Sequence, residues 1–499
     1  MVVMVLTVLS KITGFARDIT LSYFYGATST SDAYIISITI TSVLFSLIIM
    51  GISTAYIPMF KKIEHENGEQ QATFFTNNLL NIVLIVTTIV IIIGLFFAHS
   101  LVKLFAFGFD GETLKTAVIF TRIALVGIYF TSLTQLFTSY LQLKGKFTIP
   151  AMIGLPFNMI IIVAIFISAQ WNIVVLAIGS VLAAFIQLLF LIPSLCKVNY
   201  RYVPVVQFTD KNIKKMVTIV FPIMIGISID QINLMIDKTI ASTLTEGGIS
   251  ALMYSSRLND FVQGIFVLSF VTVMFPVISN MAAKKHTQDF KKSISNVLSS
   301  VILIVVPASI GIMVLAEPIT RLLFGHGQFD ERAIHMTAHA LFFYSIGMIG
   351  YGLREVLNRT FYSIQDSKTP MYNASIAVVL NITLSFLLSS FMGISGLALA
   401  TSISALFCSA LLGISLRRKI GAFGTKENLG ILLKAVFASS VMGGVVYFLH
   451  EYLLSNWHAM LKMSTVVIAG GMVYFILIYA LKVQESKYII AFVKRKVFK

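Results

Sequence analysis

The chain has 499 residues, 57% of them hydrophobic and only 12% charged, with a formal net charge of +16. Soluble domains carry about 25% charged residues, so a soluble fold is excluded. The basic excess is confined to alternate loops rather than one face, which excludes nucleic-acid binding as its explanation.

A hydrocarbon core takes about 20 apolar residues per spanning helix. On that measure an all-α polytopic membrane protein with about fourteen spans is predicted. The spans fall near 2–24, 32–60, 75–98, 114–143, 148–169, 173–196, 212–243, 248–281, 293–316, 333–362, 370–392, 396–416, 428–450 and 461–481. The first has neither a basic start nor a small-residue cleavage site, and is read as a retained helix. Several spans are longer than a bilayer requires, so tilting or extension beyond it is expected. Cys196 and Cys408 lie at or in apolar spans and do not form a secreted disulfide framework.

With the N-terminus inside, the loops at Lys61–Lys62, Lys144–Lys146, Lys197–Lys215, Lys284–Lys292, Lys368, Arg417–Lys426 and Lys482–Lys499 share one side. They hold about 24 of the 37 Lys and Arg, against about five in the opposite loops. This is the positive-inside pattern and predicts two cytoplasmic termini. The tail Lys494–Arg495–Lys496 is expected to meet anionic headgroups.

Two stretches resemble each other. Phe107-Gly108-Phe109-Asp110 leads through Lys146-Phe147-Thr148-Ile149-Pro150 to Pro193, and Phe324-Gly325-His326-Gly327 leads through Lys368-Thr369-Pro370 to Ser415. Each runs from an FG turn through a long helix and a polar Lys-Pro turn to two more helices. Parallel repeats of this kind arise from two bundles related by an axis along the membrane normal, with substrate between the halves. The expected division is a six-helix lobe 1–197, a connector 198–210, a second six-helix lobe 211–417, and two extra helices with a basic tail over 418–499. Tyr200, Tyr202 and Pro204 suit a connector lying at headgroup level.

Seven cationic side chains fall inside the spans: Lys11, Arg17, Arg122, Lys238, Arg257, Arg354 and Arg359. Each costs roughly 2.5–3.5 kcal/mol near a helix centre, so each needs a partner or an aqueous cavity. Glu355 lies four residues before Arg359 and can pair with it. Arg122, Lys238 and Arg354 are read as snorkelling from span ends. Arg17 shares a helix face with Ser10, Thr13 and Gly14, and Lys11 is offset by about a third of a turn. Asp260 follows Arg257 by three residues, which leaves a cavity cation and a local ion pair equally open. In the seventh span Asp230, Asn233 and Asp237 line one face, a pattern that marks a proton relay or a cation site with oxygen ligands. Asp230 also suits simple exposure near the cytoplasmic end, whereas Asp237 lies deeper. His335 and His339 are four apart but lack a third ligand or an HExxH glutamate, which disfavours a metal. No Walker loop, dinucleotide fingerprint or nucleophile motif occurs, which argues against an ATP-driven pump and an enzyme.

Gly14-Phe15-Ala16-Arg17-Asp18, Tyr25-Gly26-Ala27 and Ser31-Asp32-Ala33-Tyr34 resemble the start of the MurJ/MviN family, within the multidrug, oligosaccharidyl-lipid and polysaccharide exporters. Gln231-Ile232-Asn233 with Asp237, Tyr254-Ser255-Ser256-Arg257-Leu258, Phe324-Gly325-His326-Gly327-Gln328-Phe329, Arg359-Thr360-Phe361-Tyr362, Asp366-Ser367-Lys368-Thr369-Pro370 and Gly396-Leu397-Ala398-Leu399-Ala400-Thr401 follow in the family's order. The resemblance implies a flippase that moves undecaprenyl-diphosphate-linked disaccharide-pentapeptide (lipid II) outward across a bacterial plasma membrane for peptidoglycan synthesis. It implies Arg17, Arg257 and Lys11 as diphosphate-binding cations, with Asp32 and Asp260 supporting the cavity. It also implies Asp237, Asn381, Leu397 and Thr401 as candidates for a sodium site, without a cofactor. Two departures are visible. The second span has no Lys, Arg or Glu, with Met50-Gly51 in place of the family's usual Glu-Gly, and Ser385 stands where an Asp ligand is common. Sodium or proton coupling stays open on this reading.

The expected mechanism is alternating access, with the lipid-linked glycan and membrane lipids as partners and cell-wall synthesis proteins as further candidates. Competing readings are a flippase for another polyprenyl-linked glycan such as a capsule or teichoic precursor, a cation-coupled drug exporter, and a membrane scaffold for cell-wall enzymes.

Overall fold

A computed structural model describes residues 2–264, 267, 271, 274, 281, 287–455 and 457–483. The distal part of the span read at 248–281 and the tail Lys494–Arg495–Lys496 lie outside the described residues. The protein is an all-helical, multi-pass membrane protein. Among the described residues ten helices are long and apolar enough to cross a membrane. Helices suit that setting because each satisfies its own backbone hydrogen bonds away from water.

In chain order the helices are α1 (Val2–Tyr25), α2 (Ser29–Phe96), α3 (Ala98–Phe105), α4 (Gly111–Leu143), α5 (Thr148–Met152), α6 (Gly154–Gln170), α7 (Val174–Lys197) and α8 (Lys211–Leu244). Then come α9 (Gly248–Gln263), α10 (Thr287–Val314), α11 (Ala316–Phe324), α12 (Glu331–Ser363), α13 (Lys368–Met392), α14 (Ile394–Ile420), α15 (Thr425–Phe448) and α16 (Ala459–Ala480). The spans expected at 32–60 and 75–98 are both in α2, which folds back at Gly68, where φ is 84°. The Tyr56 and Phe75 rings stack at 6.2 Å, and the Tyr56 and Thr76 hydroxyls, 20 residues apart, share a 2.8 Å hydrogen bond. A straight helix would separate them by about 30 Å.

The chain falls into two compact units, Met1–Ser250 with His326–Asp330, and Ala251–Gly325 with the residues from Glu331 onward. In the first, α2 packs on α4 and α8, α4 on α7, and α6 on α1 and α7. Its core buries Tyr56, Phe60, Phe75 and Tyr140 among Leu136, Leu191 and Ile213. Helix α8 is held to α2 and α3: the Lys238 ammonium donates to Thr39 Oγ1, and Gly108 N donates to Ser242 Oγ at 3.0 Å. Lys238 therefore finds a hydroxyl partner on α2 instead of snorkelling. Connector residues 200–207 run extended along α2. Asn77, Asn78 and Asn81 donate side-chain amides to the carbonyls of Arg201, Gln207 and Val205 at 3.0, 3.0 and 2.9 Å. The Tyr200 and Tyr202 hydroxyls donate to Asn77 and Asn81 Oδ1 at 2.6 and 2.8 Å, so these tyrosines anchor the connector to α2.

In the second unit, α12 packs on α14 and α10, α13 on α14, and α15 on α10 and α16. Lipid tails are as apolar as side chains, so close backbone approach and hydrogen bonds drive helix association. A Cβ at Gly350 would meet Leu406 N at 2.6 Å, and Ser402 Oγ donates to Phe343 O at 2.6 Å. Helices α15 and α16 join through Ile302, Leu303, Val306, Met442, Val466 and Tyr474, and the Tyr474 hydroxyl donates to Leu303 O at 2.8 Å. The repeated order seen in the sequence recurs as α3 to α7 and α11 to α14. The short helices α3 and α11 have no counterpart in the sequence reading.

Candidate functional site

The polar face of α1 packs against α6. Gly14 and Gly154 bring the two backbones close, and Asn158 of α6 enters the seam. Asn158 Nδ2 donates to Ser10 O and to Thr13 Oγ1, both at 3.3 Å. Arg17 Nη1 donates to Asn158 Oδ1 at 3.2 Å, while Nε and Nη2 both donate to Asp18 Oδ1, at 3.0 and 2.7 Å. The Asp18 side chain is 5% exposed and that of Arg17 22%. Three of the five guanidinium N–H groups are thus fixed by the protein, and two remain for a ligand. Lys11 is exposed and lies off this seam.

Asp32 is used differently from a cavity wall. Its carboxylate is buried and caps the start of α9: Oδ2 accepts from Gly247 N at 2.9 Å, and Oδ1 from Ser250 N and Oγ at 2.8 and 2.5 Å. Gly247 sits at φ 76°, and a Cβ there would lie 2.0 Å from Ala27 O. A second loop docks beside it, with Gln328 N donating to Tyr23 O at 2.9 Å. Gly327, at φ 66°, would place a Cβ 2.2 Å from the same carbonyl. Tyr25-Gly26-Ala27 and the His326–Phe329 part of the second motif thus share a packed loop cluster in which Gly26, Gly247 and Gly327 have no room for side chains.

On α8, Asn233 and Asp237 are half-buried. The Asp230 side chain lies outside the described residues. In the second unit Arg257 and Asp260 are exposed on α9 while Asn259 between them is buried. Asn381, Ser385 and Leu397 are buried. Asn381 Nδ2 donates to Thr401 Oγ1 at 3.3 Å, Ser385 Oγ donates to Asn381 Oδ1 at 3.3 Å, and Thr401 Oγ1 donates to Leu397 O at 2.9 Å. These four residues supply neutral oxygens already joined to one another, without a carboxylate.

Arg359 has a structural partner and Arg122 is exposed. Arg359 Nε donates to Glu355 Oε1 at 2.8 Å, as their spacing predicts. His335 Nδ1 lies 3.7 Å from Glu317 Oε2, and the His335 and His339 rings are 6.4 Å apart. Among the described residues no group of three or more His, Cys, Asp or Glu could hold a metal.

Sequence reasoning missed Asp18 and Asn158. Asn158 did leave a signal, as a lone amide in the apolar run Gly154–Ile167.

A family model described as lipid II flippase MurJ matches residues 21–468. A probable lipid II flippase MurJ of Thermotoga maritima is 30% identical over 97% of this chain and 96% of its own length. One of Vibrio cholerae is 29% identical over 89% and 87%. The lipid II flippase MurJ of Burkholderia cenocepacia is 26% identical over 88% and 87%. Among solved structures, lipid II flippase MurJ in an inward closed conformation superposes with TM-score 0.82 at 24% identity, covering 100% of this chain and 99% of that one. An inward-facing multidrug resistance MATE family transporter of the MOP superfamily gives 0.72 at 14% identity, covering 85% and 98%. At such identities the superpositions speak for the fold alone.

Proposed function

Because the chain belongs to the lipid II flippase MurJ family, we propose that it moves lipid II from the inner to the outer leaflet of a bacterial plasma membrane by alternating access. Flipping breaks no covalent bond, so the protein acts as a transporter and not as an enzyme. What has to be stabilised is a diphosphate leaving water. The observation that carries this reading is Arg17, an intramembrane guanidinium oriented by Asp18 and Asn158 with two N–H donors to spare. Its planar fork matches phosphate oxygens in pairs, which an ammonium cannot do. Arg257 and Lys11 supply the further positive charge, since the Arg17 charge is offset by Asp18. The prenyl chain trails in lipid. With both termini cytoplasmic, an inside-negative potential favours outward passage of an anion by about 2.3 kcal/mol per charge per 100 mV.

We assign coupling to the intramembrane carboxylate of Asp237. That carboxylate can take up a proton or supply a charged oxygen to a sodium ion. Asp237→Asn is expected to lower export or remove its sodium or pH dependence at normal protein levels. Unchanged export with unchanged ion dependence would leave Asp237 a structural residue.

The function is tested by expressing the chain in a strain depleted of its own flippase and measuring lipid-linked precursors on each side of the membrane. Growth and clearance of internal lipid II are expected. Persistent internal lipid II, with export of another polyprenyl-linked glycan instead, would overturn the substrate assignment.

A further inference from the structure

The second unit contains a cavity of about 590 Å³. Its walls include Met313 at the end of α10, Glu317 on α11, His339, Phe342 and Phe343 on α12, and Met392 at the end of α13. None of these belongs to the diphosphate or coupling residues above. The volume lies within the roughly 300–1,000 Å³ common for small-molecule sites.

The Glu317 side and the floor differ in chemistry. Behind the wall residue Glu317, Arg321 is committed on both sides, with Nη2 to Glu317 Oε1 at 3.0 Å and Nη1 to Glu331 Oε1 at 2.5 Å. Two carboxylates therefore flank one guanidinium. A cationic head meets the Glu317 carboxylate in the cavity wall. The floor is apolar and aromatic: Phe342 and Phe343 meet edge to face at 5.2 Å and 83°. Aromatic faces attract an ammonium ion and also pack against hydrocarbon. Immediately before the wall residue Met392, Phe391 of α13 is 81% exposed, and Phe386 and Leu387 of the same helix are exposed too, an apolar surface suited to lipid.

We propose that this cavity binds a membrane phospholipid with an ammonium head. The ammonium lies at Glu317 and His339, and an acyl chain lies along Met313, Phe342, Phe343 and Met392. This site is independent of the lipid II reading, because it uses none of the same side chains.

The test uses the full chain in nanodiscs made with equal phosphatidylethanolamine and phosphatidylglycerol. After detergent extraction and washing, retained lipid is measured by mass spectrometry. Enrichment of phosphatidylethanolamine by about tenfold is expected for a charge-assisted contact. Glu317→Gln should abolish the enrichment. Met392→Trp, which fills the cavity and leaves the Glu317 charge in place, should abolish it too. If Glu317→Gln does not yield monodisperse protein, Met392→Trp decides alone. Equal retention of the two lipids by the parent, or enrichment that survives a folded variant, would overturn the proposal.

Discussion

Arg17→Ala should damage the protein in two separable ways. Asp18 is 5% exposed, and losing its cation leaves a buried carboxylate with no guanidinium. Breaking a buried pair from one side costs roughly 3–5 kcal/mol, and the 22% exposure of Arg17 places this one near the lower figure. In Arg17→Ala/Asp18→Ala no orphan charge remains, and the residual loss is about 1 kcal/mol for the unsatisfied Asn158 Oδ1. Thermal unfolding in detergent should therefore rank parent, double variant, single variant. Complementation should follow a different order if Arg17 holds the diphosphate, with both variants inactive despite the recovered stability of the double. Arg17→Lys should fall between, because one ammonium keeps the charge beside Asp18 without the fork. Restored export in the double variant would reduce Arg17 to a counter-ion of Asp18. A single variant as stable as the parent would refute the ion-pair reasoning itself.

Asp32→Ala removes the acceptor for two backbone N–H groups and a hydroxyl at the start of α9, and should cost roughly 2–4 kcal/mol in thermal or denaturant unfolding. Asp32→Asn, which keeps an acceptor oxygen, should cost less, and equal losses would contradict the capping role. Asp366, in the turn between α12 and α13, accepts from Lys419 Nζ at 2.7 Å, Thr369 Oγ1 at 2.6 Å and Thr369 N at 3.1 Å. These bonds, Lys419 foremost, hold its carboxyl below the usual carboxylate range. A depressed folded-state pKa gives stability that is complete above about pH 4 and is lost as pH falls through the folded value. The gap in melting temperature between the parent and Asp366→Asn should accordingly narrow from pH 7 to pH 3, and a constant gap would refute it. In a Cys196→Ala background, a cysteine at Asn67 should resist a membrane-impermeant thiol reagent and one at Ser455 should react; the reverse would invert the topology.

Most helices were legible because apolar runs of bilayer length have few alternatives in lipid. Glu355 and Arg359 were legible for a related reason, since residues four apart share a helix face. Arg17 and Asp18 are adjacent, and adjacent residues diverge around a helix, so a search at helical spacing passes over them. The pair forms because arginine is long enough to turn back to its neighbour. Asn158 reaches Arg17 from 141 residues away, and Asp32 reaches Ser250 across 218. Such long-range satisfaction of polar groups leaves only an out-of-place polar residue in the sequence. Helices α3 and α11 were missed because eight and nine residues cannot fill a span-length window.

The three asparagines under the connector read its backbone and the hydroxyls of Tyr200 and Tyr202. Asn77, Asn78 and Asn81 bond carbonyls of Arg201, Gln207 and Val205, and Asn78 Oδ1 accepts from Gln207 N at 2.7 Å, so among these three carbonyl-bearing residues Gln207 must also keep its backbone donor. The side chains of Arg201, Val203 and Val206 are consequently released from holding the segment down. Evolution can repaint that outward stripe for different lipid surfaces or partners at little structural cost. A change in any of the three asparagines, or proline at Gln207, unfastens it whatever the stripe displays.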